Sequence, residues 1–307
     1  MDARITKQRL ANMLSYDWLK IVGVIALAVL FFVTFFMMIG ARPTDGQKFY
    51  VYCYEGLNVG GDYSLLADDM KKKDVFGYEI LDMGSESFSS SGLFGGSVFS
   101  ARRSVGEGRV MFVKDVRTTD SEGKESSVLL HFINNEGTPR ENFRMFLDPQ
   151  MFLEECKGYL QTFFGEDLAG PLNHEKARET FLARNAKDAR FRTAAKKENG
   201  IKQEEERLEK LKADYLFVNA SVGEGKALEY VTYETEIKPH TIGFYLKGLN
   251  LTKLVYYTEK QEEEEVQKHE GVALCLFDNG TREGDLKYET VNFLAYLVRK
   301  YSPEAVD

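Results

Sequence analysis

Residues Ile21 to Ala41 read IVGVIALAVLFFVTFFMMIGA and carry no charge. As a helix rising ~1.5 Å per residue, a segment of about 21 residues spans ~30 Å of hydrocarbon. Leu, Ile, Val, Phe and Met dominate it, the side chains favoured at a bilayer centre. Lys20 closes one end, and Arg42 and Pro43 close the other. The chain therefore divides into a short tail at 1–20, a transmembrane helix at 21–41 and a large remainder at 42–307 on one side of a membrane.

A cleavable signal has an apolar core of only ~7–15 residues ending in small residues. This core is longer. Gly40-Ala41 could end a cleavage site, but Pro43 follows closely and Phe35, Phe36 and Met37 crowd the approach. No lipidation box precedes Cys53. An uncleaved anchor is preferred over a cleaved signal, and a buried core helix comes last. Arg4, Lys7, Arg9 and Lys20 precede the span, whereas Arg42 and Lys48 are the only basic residues just after it. By the positive-inside rule the N-terminus is expected in the cytoplasm and 42–307 outside a plasma membrane, as a single-pass protein. Tyr16 and Trp18 suit the membrane interface.

The remaining residues, about 265, suffice for one two-lobed domain or two small ones. With 48 acidic against 40 basic residues the net charge is −8, which argues against a nucleic-acid partner. Six prolines and no long biased tract predict a folded domain rather than a stalk. Cys53, Cys156 and Cys275 fall among apolar neighbours without metal-like spacing, so buried free thiols are preferred to one disulfide and a spare.

Along the chain, Lys48–Tyr54 (KFYVYCY) is rich in β-formers, Leu65–Lys73 has helical spacing, and Val75–Met83 returns to strand, an opening of the α/β kind. Helix end, turn and strand follow over Ser100–Asp115, then a strand over Ser127–Ile133 in which His131 is a satisfied strand residue. Asp148-Pro149 is an N-cap followed by proline at the first helical position, with Gly165 as the stop. Helices are predicted over His174–Lys197 and Ile201–Lys212, broken at Asn199-Gly200, and strands over Asp214–Ser221, Leu228–Ile237, Thr241–Lys247 and Lys253–Thr258. Glu259–Glu270 reads as an acidic helix, Val272–Phe277 as a buried strand and Leu286–Lys300 as a closing helix.

Gly84–Ser100 (GSESFSSSGLFGGSVFS) follows a predicted strand, on the edge where open α/β sheets bind ligands. A flexible linker is the plainer alternative. As a site it would offer Ser85, Ser87, Ser89 and Ser90 to a polar ligand. It contains neither a phosphate loop nor a nucleophile elbow. No metal or cofactor constellation is present: His131, His174, His240 and His269 are isolated, and acid pairs are inevitable at this composition. Arg184, Lys187, Arg190 and Arg192 sit in a basic helical stretch interleaved with Phe181 and Phe191. A solvated face explains it most simply; a surface for an acidic partner or anionic polymer is the functional alternative.

Three pieces together resemble the type II extracytoplasmic solute-binding proteins of bacterial ABC transporters: the strand–helix–strand from Lys48 to Met83, the helix–Gly–strand segment Val105–Val113 ending near the acid Asp115, and Leu147-Asp148-Pro149 with its helix through Tyr159-Leu160. The resemblance touches about a third of 42–307 and implies two α/β lobes with a solute in the cleft between them, lobe one formed by 42–140 with 241–307 and lobe two by 141–240. It departs from the family in having an anchor in place of a lipidated cysteine, a shorter domain, and a sole tryptophan, Trp18, before the span. The function expected is a non-catalytic, membrane-tethered solute-binding-like or accessory module of a transporter, with an ABC permease as partner. The alternative is a cell-envelope scaffold protein.

Overall fold

The computed structural model describes residues 7–39, 43–88, 95–123, 125–135, 145–233, 239–261 and 264–303. It falls into two units, 1–42 and 43–307. The first contains α1 (Lys7–Ile39), whose window Trp18–Phe35 has a mean hydropathy of 2.4. That helix is long and apolar enough to cross a membrane; a signal sequence near an N-terminus would meet the same criterion.

The second unit is built on alternation. In β1 (Lys48–Cys53), Phe49, Val51 and Cys53 face one side of a sheet and Tyr52 the other, all four wholly buried. After β2 (Asn58–Val59), α2 (Gly61–Ser64) and α3 (Leu66–Lys72), the chain forms β3 (Asp82–Ser87), which pairs parallel with β1, Val51 opposite Ser85. Helix α4 (Gly95–Ser104) leads to β4 (Val110–Lys114), parallel with β1 on its other side. A small ribbon, β5 (Thr118–Thr119) with β6 (Glu125–Ser126), precedes α5 (Val128–Asn135).

Three helices come next: α6 (Pro149–Phe164), α7 (His174–Arg184) and α8 (Ala194–Ser221). Then follow β7 (Glu229–Tyr233), β8 (His240–Tyr245), β9 (Val255–Gln261), β10 (Glu264–Lys268), β11 (Val272–Leu276), a 3-10 segment at Gly280–Tyr288 and α9 (Glu289–Tyr301). The main sheet runs β3-β1-β4-β11-β8-β7, its first three strands parallel and the rest antiparallel. Residues of α3, α6, α8 and α9 fill one face, and Phe99 of α4 with Leu129, Phe132 and Ile133 of α5 fill the other. The fold is mixed α/β in three layers.

Residues 141–240, expected as a second lobe, instead supply helices that pack into this same core and β7, which joins this same sheet. Other expectations are corrected locally. Ser127–Ile133 is a helix, because Leu129, Phe132 and Ile133 are buried at helical spacing while His131 is exposed. Glu259–Glu270 is the β9–β10 hairpin, where Lys268 Nζ donates to Glu259 at 2.7 Å across the strands. Residues 75–81 are irregular and β3 starts only at Asp82.

The helix break at Asn199-Gly200 and the strand at 214–221 are both absent, since α8 runs unbroken to Ser221 with Leu208, Leu211, Tyr215 and Val218 on its buried face. Gly200 serves close approach. A Cβ there would lie 2.4 Å from Phe181 Cζ and 2.7 Å from Phe191 Cε1. The segment at Asp148 follows its signals: Asp148 Oδ1 accepts from the N–H groups of Gln150 and Met151, and Gly165 ends the helix at φ +84°.

Charge is buried at the helical layer's centre. Arg207 of α8 has no exposed side-chain surface and pairs with Glu204 at 3.0 Å and Glu289 at 2.5 Å. Arg184 bridges Glu79 at 3.3 Å and Asp285 at 2.6 Å and also pairs with Glu204; Arg190 meets Glu79 at 2.5 Å. Burial raises the affinity of Glu79 for its proton, but Arg184, Arg190 and Asn185 outweigh this and hold its carboxyl down at about 2.

Two outcomes are expected. Gly200→Ala should destabilise by about 1–3 kcal/mol through overpacking, although Ala is the better helix former by ~1 kcal/mol; equal or higher stability in urea unfolding would show that the rings can withdraw. Because Glu79 is depressed below the usual 4.5, its stabilisation is complete above that pH and lost as pH falls towards about 2. The melting-temperature gap between the unmodified chain and Glu79→Gln should therefore narrow across that window, and a constant gap would contradict the assignment.

Candidate functional site

The chain passes from β1 to β3 on one side and from β3 to β4 on the other, so β1 and β4 flank a point where the strand order reverses. Open α/β sheets bind ligands beyond the carboxyl ends of the strands at such a point. A cleft of about 790 Å³ lies there. Its wall comprises Tyr54, Glu55 and Gly56 after β1, Lys114 and Val116 at the end of β4, Thr118 and Ser126 of the ribbon, and Ser127, Val128, His131 and Phe132 of the α5 region.

One acid stands behind Ser127 of this wall. Asp115 follows β4, and its carboxylate is wholly buried. Its Oδ1 accepts from Ser127 Oγ and Tyr233 Oη, each at 2.5 Å, and Oδ2 from Tyr245 Oη at 2.5 Å and Arg117 Nε at 3.4 Å. Its backbone N–H donates to Gly271 O. Ser127 Oγ in turn accepts from Leu130 N–H at 3.0 Å, which caps the start of α5. One carboxylate thus binds together the end of β4, two strands of the antiparallel half and the helix forming the cleft's far wall. Burial and then the neighbouring Asp115 push both tyrosine hydroxyls well above their ordinary range, so they remain protonated donors.

Of the four serines proposed from sequence, Ser85 and Ser87 do not line this cleft. Ser85 Oγ donates to Tyr63 O at 2.9 Å from within β3. Ser87 ends β3 at the exposed edge strand, and Ser89 and Ser90 lie outside the described residues. Of the basic residues, Arg184 and Arg190 are committed to Glu79, Glu204, Asp285 and Asp188 inside the protein, a correction to their place on a free basic face. Lys187 and Arg192 are exposed.

The three cysteines are free and buried, and burial pushes the Cys53 thiol up to about 12, so it carries no nucleophilic thiolate. Among the described residues no group of three or more His, Cys, Asp and Glu is placed to hold a metal ion. A second groove, of about 770 Å³, runs along residues 74–83 and α8. Two of its cations are turned to structure: Arg207 is in the buried network and Lys210 Nζ donates to Asp74 O.

Sequence reasoning noted Asp115 only as an acid closing a strand and passed over Lys114, Ser127, Tyr233 and Tyr245. Their association depends on strand pairing between segments more than a hundred residues apart, for which the linear chain carries no signal. No protein-family model matches the chain, and no curated protein or solved structure is significantly similar to it.

Asp115→Asn keeps the shape but replaces an acceptor oxygen by an amide that cannot accept. The three hydroxyl donors then compete for one oxygen, at an expected cost of about 2–3 kcal/mol, larger than that of Ser127→Ala. Equilibrium unfolding of the two variants measures this, and an Asp115→Asn protein as stable as the unmodified chain would contradict it.

Proposed function

We propose that this chain is a membrane-tethered, non-catalytic binding module whose residues 43–307 hold a small polar ligand in the cleft at the carboxyl edge of β1 and β4. The observation that carries this is the cleft's place, at the reversal of strand order, with a volume suited to a small molecule. A binding role fits better than catalysis. Ser127, a cleft hydroxyl with an acid behind it, donates to Asp115, whose oxygens already accept from two tyrosines and an arginine.

In this account α1 is an uncleaved anchor in the plasma membrane, with the N-terminus held in the cytoplasm by Arg4, Lys7, Arg9 and Lys20 and residues 43–307 outside. The resemblance to transporter-associated binding proteins makes a membrane permease the partner class to test first, the module delivering or sensing its ligand there.

The test uses the full chain in detergent micelles, followed by melting temperature against sugars, amino acids, short peptides and small acids. A saturable rise with one class is expected, since a ligand that binds only the folded state stabilises it by mass action. A cooperatively melting chain that responds to none of the four classes would contradict a binding role.

A further inference from the structure

The cleft contains a positive charge, that of Lys114, with no acid paired to it among the described residues. Lys114 ends β4 half-buried; its stem runs beside Gly56 and its Nζ lies 4.2 Å from the centroid of the Tyr257 ring. Among the described residues no carboxylate forms an ion pair with it, although the chain has more acids than bases. Nearby cations are treated differently: Arg117 meets Asp115 and Glu125, and Lys268 meets Glu259. A half-buried ammonium that gives up part of its water normally gains a counter-charge. Here the aromatic face supplies only a partial one, while also holding the ammonium in place.

The surroundings shape the cleft around that ammonium. Gly56, at φ +82°, keeps the backbone low between Lys114 and Val128: a Cβ there would lie 3.2 Å from Val128 Cγ2. The amino end of α5 is already answered within the protein: Ser127 Oγ caps Leu130 N–H, and the Asp115 carboxylate stands behind that serine, so the ammonium of Lys114 is the wall's positive group. Thr118 and Ser126 are neutral and hydrogen-bonded to each other at 2.9 Å, and Phe132 and Tyr54 supply apolar surface. Among the described residues, Glu55 is the one acid on the wall.

We propose that the ligand of this cleft is a small acid, a carboxylate or phosphate, whose anionic group pairs with Lys114 while its remainder lies against Tyr54 and Phe132. This rests on the cleft being the binding site. A charge-assisted pair on a preoriented ammonium is the strongest contact the wall can make.

The experiment is titration calorimetry on the full chain in detergent micelles with succinate, inorganic phosphate, glucose and arginine as probes, on the unmodified protein and on Lys114→Gln and Lys72→Gln. Lys72 is exposed on α3, outside the cleft. Saturable binding of succinate or phosphate, weakened about ten- to a hundredfold by Lys114→Gln and unchanged by Lys72→Gln, is expected; which of the two anions binds identifies the acid. Saturable binding of glucose that ignores Lys114→Gln would overturn the acid while leaving the binding module intact. Arginine as the only binder would assign the cleft to Glu55 and overturn it likewise. Absence of binding by every probe, with the melting temperature also unmoved by all four compound classes, would overturn both.

Discussion

The buried guanidinium of Arg207 is the constraint on which the helical layer depends. An ion without exposed surface persists only when fully paired, because removing either partner strands a charge at a cost of about 3–5 kcal/mol. Arg207 draws on Glu204, one turn earlier in α8, and on Glu289 at the first turn of α9. The same Glu289 carboxylate accepts the Gly77 N–H at 3.1 Å and the Asn292 amide at 2.7 Å. A long helix, the closing helix and the irregular segment before β3 are thereby brought to one point, which sets where β3 begins.

Two buried acid systems divide the sheet between them. At the amino edge, where the chain enters at Gln47 and Glu79, the arginine network ties the helices to the segment before β3, and Gln47 Nε2 donates to Glu79 at 3.1 Å. At the carboxyl edge, Asp115 gathers hydroxyl donors from β7, β8 and the start of α5 and so fixes the helix that walls the cleft.

Much of the local structure was legible in the residues. The apolar run at 21–41, the Asp148-Pro149 start with its Gly165 stop, and the β-rich segments that became β1, β4 and β11 all carry short-range physical signals. Failures came where tertiary contacts overrode them. Gly200 looked like a helix stop, but its missing Cβ admits two phenylalanine rings. Residues 259–270 have helical composition yet pair as a hairpin, and 128–135 alternate loosely enough to pass for a strand. The two-lobed expectation placed 141–240 apart, whereas β7 pairs with β8 in the common sheet. The site was less legible than the fold. The serine-rich stretch drew attention by composition, while the cleft is assembled from the ends of β1 and β4 and a helix start, each unremarkable alone.

The measurement that bears most directly on the central claim is hydrogen–deuterium exchange of the full chain with and without saturating succinate. The account predicts slowed exchange confined to residues 54–56, 114–118 and 126–132, the walls of the cleft. Protection concentrated instead along 74–83 and 203–210, or none anywhere, would contradict it.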